Sequence, residues 1–470
     1  MKIVKIILFT VMLILPCLRL EASVYLPIYK ASFWIGRLGN PDESILTPAQ
    51  IEKMNNTILD ENDEMANVTE LGDTVSRQDL IEWLFEDPIP QDKEMFDRKG
   101  RVIKGNFYKD VMDNINTTGI TESNGLIFGA ITKKADIRAF PTDEPVLKSP
   151  SAKDFDAFQY STIYPPQPVA LLHKSKDGKW GFFQTPFVRG WIKMDKIAFA
   201  NKRTDITPNS QLPTPNRLVI TGSRVMVFRD KKNNGNAEII PMGTTFVLQG
   251  EDKNYWIVKF PEKDKEGQLQ WIGAYIKKKA DIHIGYLAYT KRNVINQAFK
   301  ILGEGYGWGG RNGLRDCSSF IKDVFATMGI ILPRHSSHQA TSGQVLLSLD
   351  EAAPPEDIKR ALDSAVPGIT LLGLSGHIML YLGNINGSYY SLHQFFGYHD
   401  KDGFRTVNKA VVTNLELGKG SKMGPIKNRI KSVNLLILDE TNPVRSLSPK
   451  ETNHLDKAIT LSPGTSNGAN

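Results

Sequence analysis

The chain has 470 residues, 41% of them hydrophobic and 23% charged, which is enough to bury the cores of several domains and excludes a disordered or collagen-like protein. Its 58 basic and 51 acidic residues are mixed along most of the sequence, so the formal charge of +7 is not gathered into a block that would make nucleic acid the expected partner. Two cysteines, Cys17 and Cys317, rule out a disulfide framework and a paired C-x-x-C zinc site.

Residues 1–22 have the layout of a secretory signal: Lys2 and Lys5 around an apolar run over 6–15, then a short stretch to Ala22. That run is well short of the about 20 residues a membrane-spanning helix needs, and nothing later approaches that length. Export to the periplasm or cell envelope without a transmembrane span is the expectation. Cys17 after Ile14-Leu15-Pro16 resembles a lipoprotein box, but proline stands where a small residue is usual, so a lipid anchor at Cys17 is the less favoured alternative. Residues 24–125 read as a helical and irregular N-terminal region, with Thr47-Pro48-Ala49-Gln50 as a helix start. Its acidic stretch over 60–97 is expected to be solvated and is given no function.

Residues 126–200 and 216–285 change to short β-type runs separated by Gly, Asp, Asn and Pro. The two stretches repeat a pattern. Val169-Ala170-Leu171-Leu172, Trp180 and Trp191 in the first answer to Thr245-Phe246-Val247-Leu248, Trp256 and Trp271 in the second. A duplicated small barrel is expected, with the tryptophans in its core and Pro208, Pro213 and Pro215 in the linker. Residues 290–440 form an α+β segment with helices over 293–302 and 317–328 and strands over 377–382, 388–395 and 433–439. Residues 441–470, rich in Ser, Pro, Asn and Gly, are expected to be disordered.

The helix over 317–328 places Phe320, Ile321, Val324, Phe325 and Met328 on one apolar face, with Asp316 as N-cap and Gly329 as its stop. Cys317 then stands at the first helical position, off the apolar stripe, where the dipole favours a thiolate by only about 1 kcal/mol. A nucleophile there needs a cationic partner, and histidine is the usual one. His377 and His393 flank a hairpin signal at 383–387. A turn centred on Ile385 would set the two imidazoles directly opposite each other, whereas a two-residue Asn386-Gly387 turn would send them to opposite faces. The pairing suggests a relay with His377 as the base and His393 holding its other nitrogen. His335 and His338 read as loop residues, and no metal or cofactor is expected. Gly305-Tyr-Gly-Trp-Gly-Gly310 satisfies G-x-G-x-x-G but follows a helix, so a dinucleotide site fails on context.

Gly303-x-x-Tyr306-x-Trp308-Gly-Gly310, Asp316-Cys317-Ser318-Ser319-Phe320, Leu332-Pro-Arg334, Gln339, Gly376-His377-Ile378 and Tyr381-Leu-Gly383 together resemble the NlpC family of papain-like cell-wall cysteine peptidases. The layout upstream is similar to the larger γ-D-glutamyl-diamino-acid endopeptidases of that family. The resemblance implies an α+β papain-like domain at the C-terminal end, two Src-homology-3-like barrels and a stabilising N-terminal region. It implies Cys317 as nucleophile, His377 as base and His393 as orienting group, with Tyr306, Trp308, Asp316, Ser318 and Ser319 lining the substrate site. Asp316 and Ser318 would hold the free amine of an L-Ala end. A carboxylate beside a thiolate opposes its ionisation, so a cationic ligand group is expected to neutralise Asp316. Ser319 replaces the glycine usual after Asp-Cys-Ser. Tyr160 and Asp156 are candidates to close the cleft, and Phe155-Asp156-x-Phe158-Gln159 is a fainter echo of the family. The function implied is hydrolysis of the γ-D-glutamyl-diamino-acid bond in peptidoglycan stem peptides. A non-catalytic wall-binding protein, or an amidase or acyltransferase on the same Cys–His pair, remains as an alternative.

Overall fold

The computed structural model describes residues 27–208, 216–232, 236–349 and 354–439. The signal over 1–22, Cys17, the linker prolines Pro213 and Pro215 and the tail over 441–470 lie outside them. Among the described residues no helix is long and apolar enough to cross a membrane.

In the N-terminal region, Thr47 and Gln50 form a reciprocal capping box that starts the helix Pro48–Asp60, and Ser76 caps the helix Arg77–Leu84. A third helix, Gly105–Ile115, ends at Asn116 in the left-handed conformation. The apolar faces of these helices are shared out between neighbours. Met54 and Ile58 pack with Trp34 into the core that holds Phe320 and Phe325. Leu80, Leu84, Val111 and Ile115 pack against Phe140, Phe158, Trp180 and Trp191. Asn55 also binds the carbonyl of Gly329 and the amide of Ile331, tying the end of the cysteine-bearing helix to this region.

The two repeated stretches each form a seven-stranded antiparallel sheet. The first runs from Ile127–Ile131 to Ile197–Phe199, the second from Arg217–Ile220 to Ile282–Ile284. With strands numbered along each stretch, both have the order 3-2-6-5-4-1-7. Trp180 and Trp191 are buried, between the first sheet unit and the N-terminal region. Trp256 is half-buried at the edge of the second core, while Trp271 departs from the expected core position and donates its indole N–H to the carbonyl of Asp205 at 2.8 Å.

Residues from Lys291 onward build a six-stranded antiparallel sheet ordered Gln344–Ser348, Ser432–Leu435, Thr370–Leu374, His377–Ile385, Ser388–Asp400 and Gly403–Asn414. The helices Lys291–Phe299 and Cys317–Ala326 share a core with Ile378, Leu380, Leu392 and Val412 from this sheet.

Candidate active site

Asp316 caps the helix Cys317–Ala326: its carboxylate accepts from the Ser319 amide at 2.9 Å, and Ser319 Oγ accepts from the Asp316 amide at 2.9 Å. Cys317 is therefore the first helical residue, as its spacing implied. It is also buried in the core beside Phe320 and Ile321, which the apolar stripe did not indicate. The backbone N–H groups of Ile378 and Ser318 lie toward its sulfur and favour the thiolate, and Ile378 follows His377 at the start of the strand His377–Ile385.

His377 and His393 meet, Nε2 to Nδ1, at 2.6 Å. The route differs from the expected one. Ile385 pairs with Ser388, so the hairpin has the two-residue Asn386-Gly387 turn, with positive φ of 50° and 84° at its centre. A β-bulge between Tyr381 and Gly383 then shifts the register by one residue and restores the parity that this turn alone would break. Continued past Leu380↔Leu392, that register places His393 opposite Met379, so the histidines are diagonal neighbours on one face and not a direct pair.

Electrostatically, both reacting groups rest neutral. Burial, with the Asp316 carboxylate next in weight, pushes the Cys317 thiol up to about 12, against the Ile378 amide and Arg334. Burial, aided by the positive charge of Arg429, lowers His377 to about 3, against the pull of Asp316. His393 is fully buried and is pushed well below the ordinary histidine range by burial and by His377. The cationic imidazole expected for a resting ion pair is thus not favoured.

The charge of Asp316 is met from within the chain, not by a ligand. Arg334 binds Asp316 Oδ2 at 2.5 Å, Ser318 Oγ at 2.7 Å and Ser161 Oγ at 2.7 Å. Gly309 N–H also donates to Asp316 Oδ2, at 3.0 Å. Both residues expected to bind a substrate amine, Asp316 and Ser318, are therefore engaged by one buried guanidinium.

A cavity of about 130 Å³ opens onto Cys317, Tyr306, Trp308, Asp316 and Ser318. Ser319 faces away from it, into the helix cap and a second cavity behind the helix. Tyr160 lines the first cavity, as proposed from sequence, but the side chain of Asp156 does not. It is bound to Arg138 at 2.9 Å and to the amides of Val146 and Phe158, and only its backbone carbonyl reaches the site, where it accepts from Trp308 Nε1 at 3.0 Å. Phe155 packs on Trp308, Tyr306 and Phe396. Residues missed from sequence also line the cavity: Gln159, Arg334, His335 and Asp87. Asp87 comes from the acidic stretch read as solvated, yet it is 9% exposed, and its Oδ1 has no hydrogen-bond partner. No pattern in the sequence marks it, because its neighbours are assembled from three distant segments.

Residues 303–389 match the model of the NlpC/P60 family, and residues 145–193 that of an SH3 domain of the SH3b1 type. The chain carries an NlpC/P60 domain. Cys317 and His377 lie inside the matched span, whereas His393 lies just beyond it. Among solved structures, an NlpC/P60 endopeptidase from Photobacterium damselae subsp. piscicida shares the fold at a TM-score of 0.67 and 20% identity, over 86% of this chain and 96% of that one. An NlpC/P60 family protein from Bacillus cereus aligns with a TM-score of 0.47 and 14% identity over 66% of this chain and 99% of that one. No curated protein matches the sequence. The likeness to the Photobacterium structure thus extends beyond the NlpC/P60 domain to most of the chain.

Proposed function

We propose that this chain is an exported cysteine endopeptidase that hydrolyses the γ-D-glutamyl-diamino-acid bond of peptidoglycan stem peptides carrying a free N-terminal L-Ala. The observation that carries the reading is the hydrogen bond of His377 Nε2 to His393, which leaves Nδ1 as the ring nitrogen available to a thiol, together with Cys317 at the helix start lining the cavity. Since both groups rest neutral, the thiol proton passes to His377 as sulfur attacks the carbonyl. The C–N bond breaks, the leaving amine takes the proton from His377, and a thioester remains. Water then adds through the same imidazole and the C–S bond breaks, restoring the thiol. The Cys317 backbone N–H, at the helix start, and Tyr306 would stabilise the oxyanion.

The receptor for the free ammonium end is Asp87, a buried carboxylate among the residues that line the cavity, since Asp316 is already paired with Arg334. The stem peptide L-Ala-γ-D-Glu-diaminopimelate, incubated with wild type and with Cys317→Ala, tests the reading by mass spectrometry. Release of the diamino acid by wild type only is expected. Equal products from both proteins would refute it, and a different product would point to the amidase or acyltransferase alternative.

A further inference from the structure

Beyond His393 the hydrogen-bonded chain continues along the same sheet face. His393 Nε2 meets Thr413 Oγ1 at 2.9 Å, Thr413 Oγ1 meets Ser391 Oγ at 3.5 Å, and Ser391 Oγ donates to Met379 Sδ at 3.4 Å. All four side chains are buried, and Ser391 and Thr413 are direct cross-strand partners. The far end of this chain has a fixed polarity, because a thioether sulfur carries no proton and can only accept.

Each hydroxyl has one proton, and each neutral imidazole has one ring proton. Ser391 spends its proton on Met379, so it accepts from Thr413. Thr413 then accepts from His393 at Nε2. His393, with its proton at Nε2, accepts at Nδ1 from Nε2–H of His377. The proton of His377 is thus fixed at Nε2, and its Nδ1 is left as a bare lone pair. Reversed, the same chain would put a proton on Nδ1 of His377 and leave the thiol without a base.

We propose that Thr413 and Ser391 are positioning residues that hold His377 in the Nε2–H tautomer required of a base, with Met379 sulfur as the terminal acceptor that sets the direction. The inference rests on the reading of His377 as the base for Cys317. It gives a reason for a polar pair, Ser391 opposite Thr413, on a sheet face that also carries the apolar Met379, Phe395 and Val411.

The test is nitrogen-15 spectroscopy of histidine-labelled protein at pH 7, with the ring signals assigned by single substitution, alongside steady-state kinetics. In wild type, His377 and His393 are both expected as Nε2–H tautomers. Thr413→Val removes the acceptor and should move both rings toward Nδ1–H. It should also lower kcat roughly 100-fold, within what a positioned general base supplies, with KM within about twofold of wild type. Thr413→Ser should restore both readouts. Ser391→Ala, which leaves the histidines untouched, should give a partial shift in the same sense. A wild-type His377 found as Nδ1–H would overturn the proposal, as would folded Thr413→Val and Ser391→Ala proteins with unchanged tautomers and kcat. If wild type cleaves no stem peptide, the tautomers still decide this proposal, and only the peptidase reading falls.

Discussion

At Cys317 the burial of the sulfur outweighs the helix dipole, which is worth about 1 kcal/mol, and the thiol is driven up to about 12. Alkylation of Cys317 by iodoacetamide should therefore accelerate about tenfold per pH unit from pH 6 to pH 9, since below its pKa the thiolate fraction rises tenfold per unit. A plateau between pH 5 and pH 8 would instead reveal a preformed thiolate–imidazolium pair. Arg334 and Asp316 are side by side, 4% and 7% exposed, so neither charge is relieved by water. Arg334→Met alone should cost about 3–5 kcal/mol by stranding the carboxylate. The double change with Asp316→Asn should recover most of that in denaturant titration, because it removes the stranded charge. A single loss no larger than a surface pair's would show that the carboxylate finds another partner.

Among the elements, the loop Trp308–Gly313 presses on the strand Gln159–Ile163 of the first sheet unit, where Gln159 donates to the carbonyl of Gly309 at 3.0 Å. Gly310 has φ of 79°, and a Cβ there would overlap Thr162 Oγ1. Gly310→Ala should therefore destabilise by about 1–3 kcal/mol and raise KM more than it lowers kcat, since it displaces the cavity wall and spares Cys317. An unchanged KM would place the cavity wall elsewhere. Gly310 is the last glycine of the apparent dinucleotide motif, and its lack of a side chain reflects close approach of the strand Gln159–Ile163. The same contrast explains how much could be read from sequence. The helix at Cys317 was legible because its cap and apolar stripe are local, and so were the strands of His377 and His393. The bulge that aligns the two histidines was not, because a bulge leaves no mark in residue types. The strands Thr370–Leu374 and Gly403–Asn414 escaped as well, the second because its outer half is largely exposed. Arg334 stood in a recognised motif, but its role is fixed by Ser161, far away in the chain.

Taken as a whole molecule, the chain closes its cavity with parts that have no role in bond cleavage. The first sheet unit supplies Gln159 and Tyr160, and the N-terminal region supplies Asp87, so residues from outside the sheet of His377 narrow the cavity, as the proposed peptide-end substrate requires. Soluble stem peptides should therefore be cleaved and intact cross-linked wall should not. Asp87 carries the cost of this arrangement. Burial raises its carboxyl to about 6, Glu64 adds to the effect, and His335 opposes it; Arg334 also borders the cavity but is committed to Asp316. A folded-state value above the unfolded one means the folded protein holds the proton more tightly. Stability contributed by Asp87 is thus full at low pH and is lost as pH rises through about 6. Asp87→Asn should accordingly raise the unfolding temperature at pH 8 and leave it unchanged near pH 4. The same substitution should raise KM for a peptide with a free amine by about 10- to 100-fold, the worth of a charge-assisted hydrogen bond of roughly 1.5–3 kcal/mol, and leave an N-acetylated peptide unaffected. In wild type, KM for the free-amine peptide should rise as pH falls below about 6, where the carboxylate is protonated, and that rise should be absent in Asp87→Asn. Gain of stability without loss of affinity would leave Asp87 as a buried acid with no ligand, and the ammonium end would need another receptor.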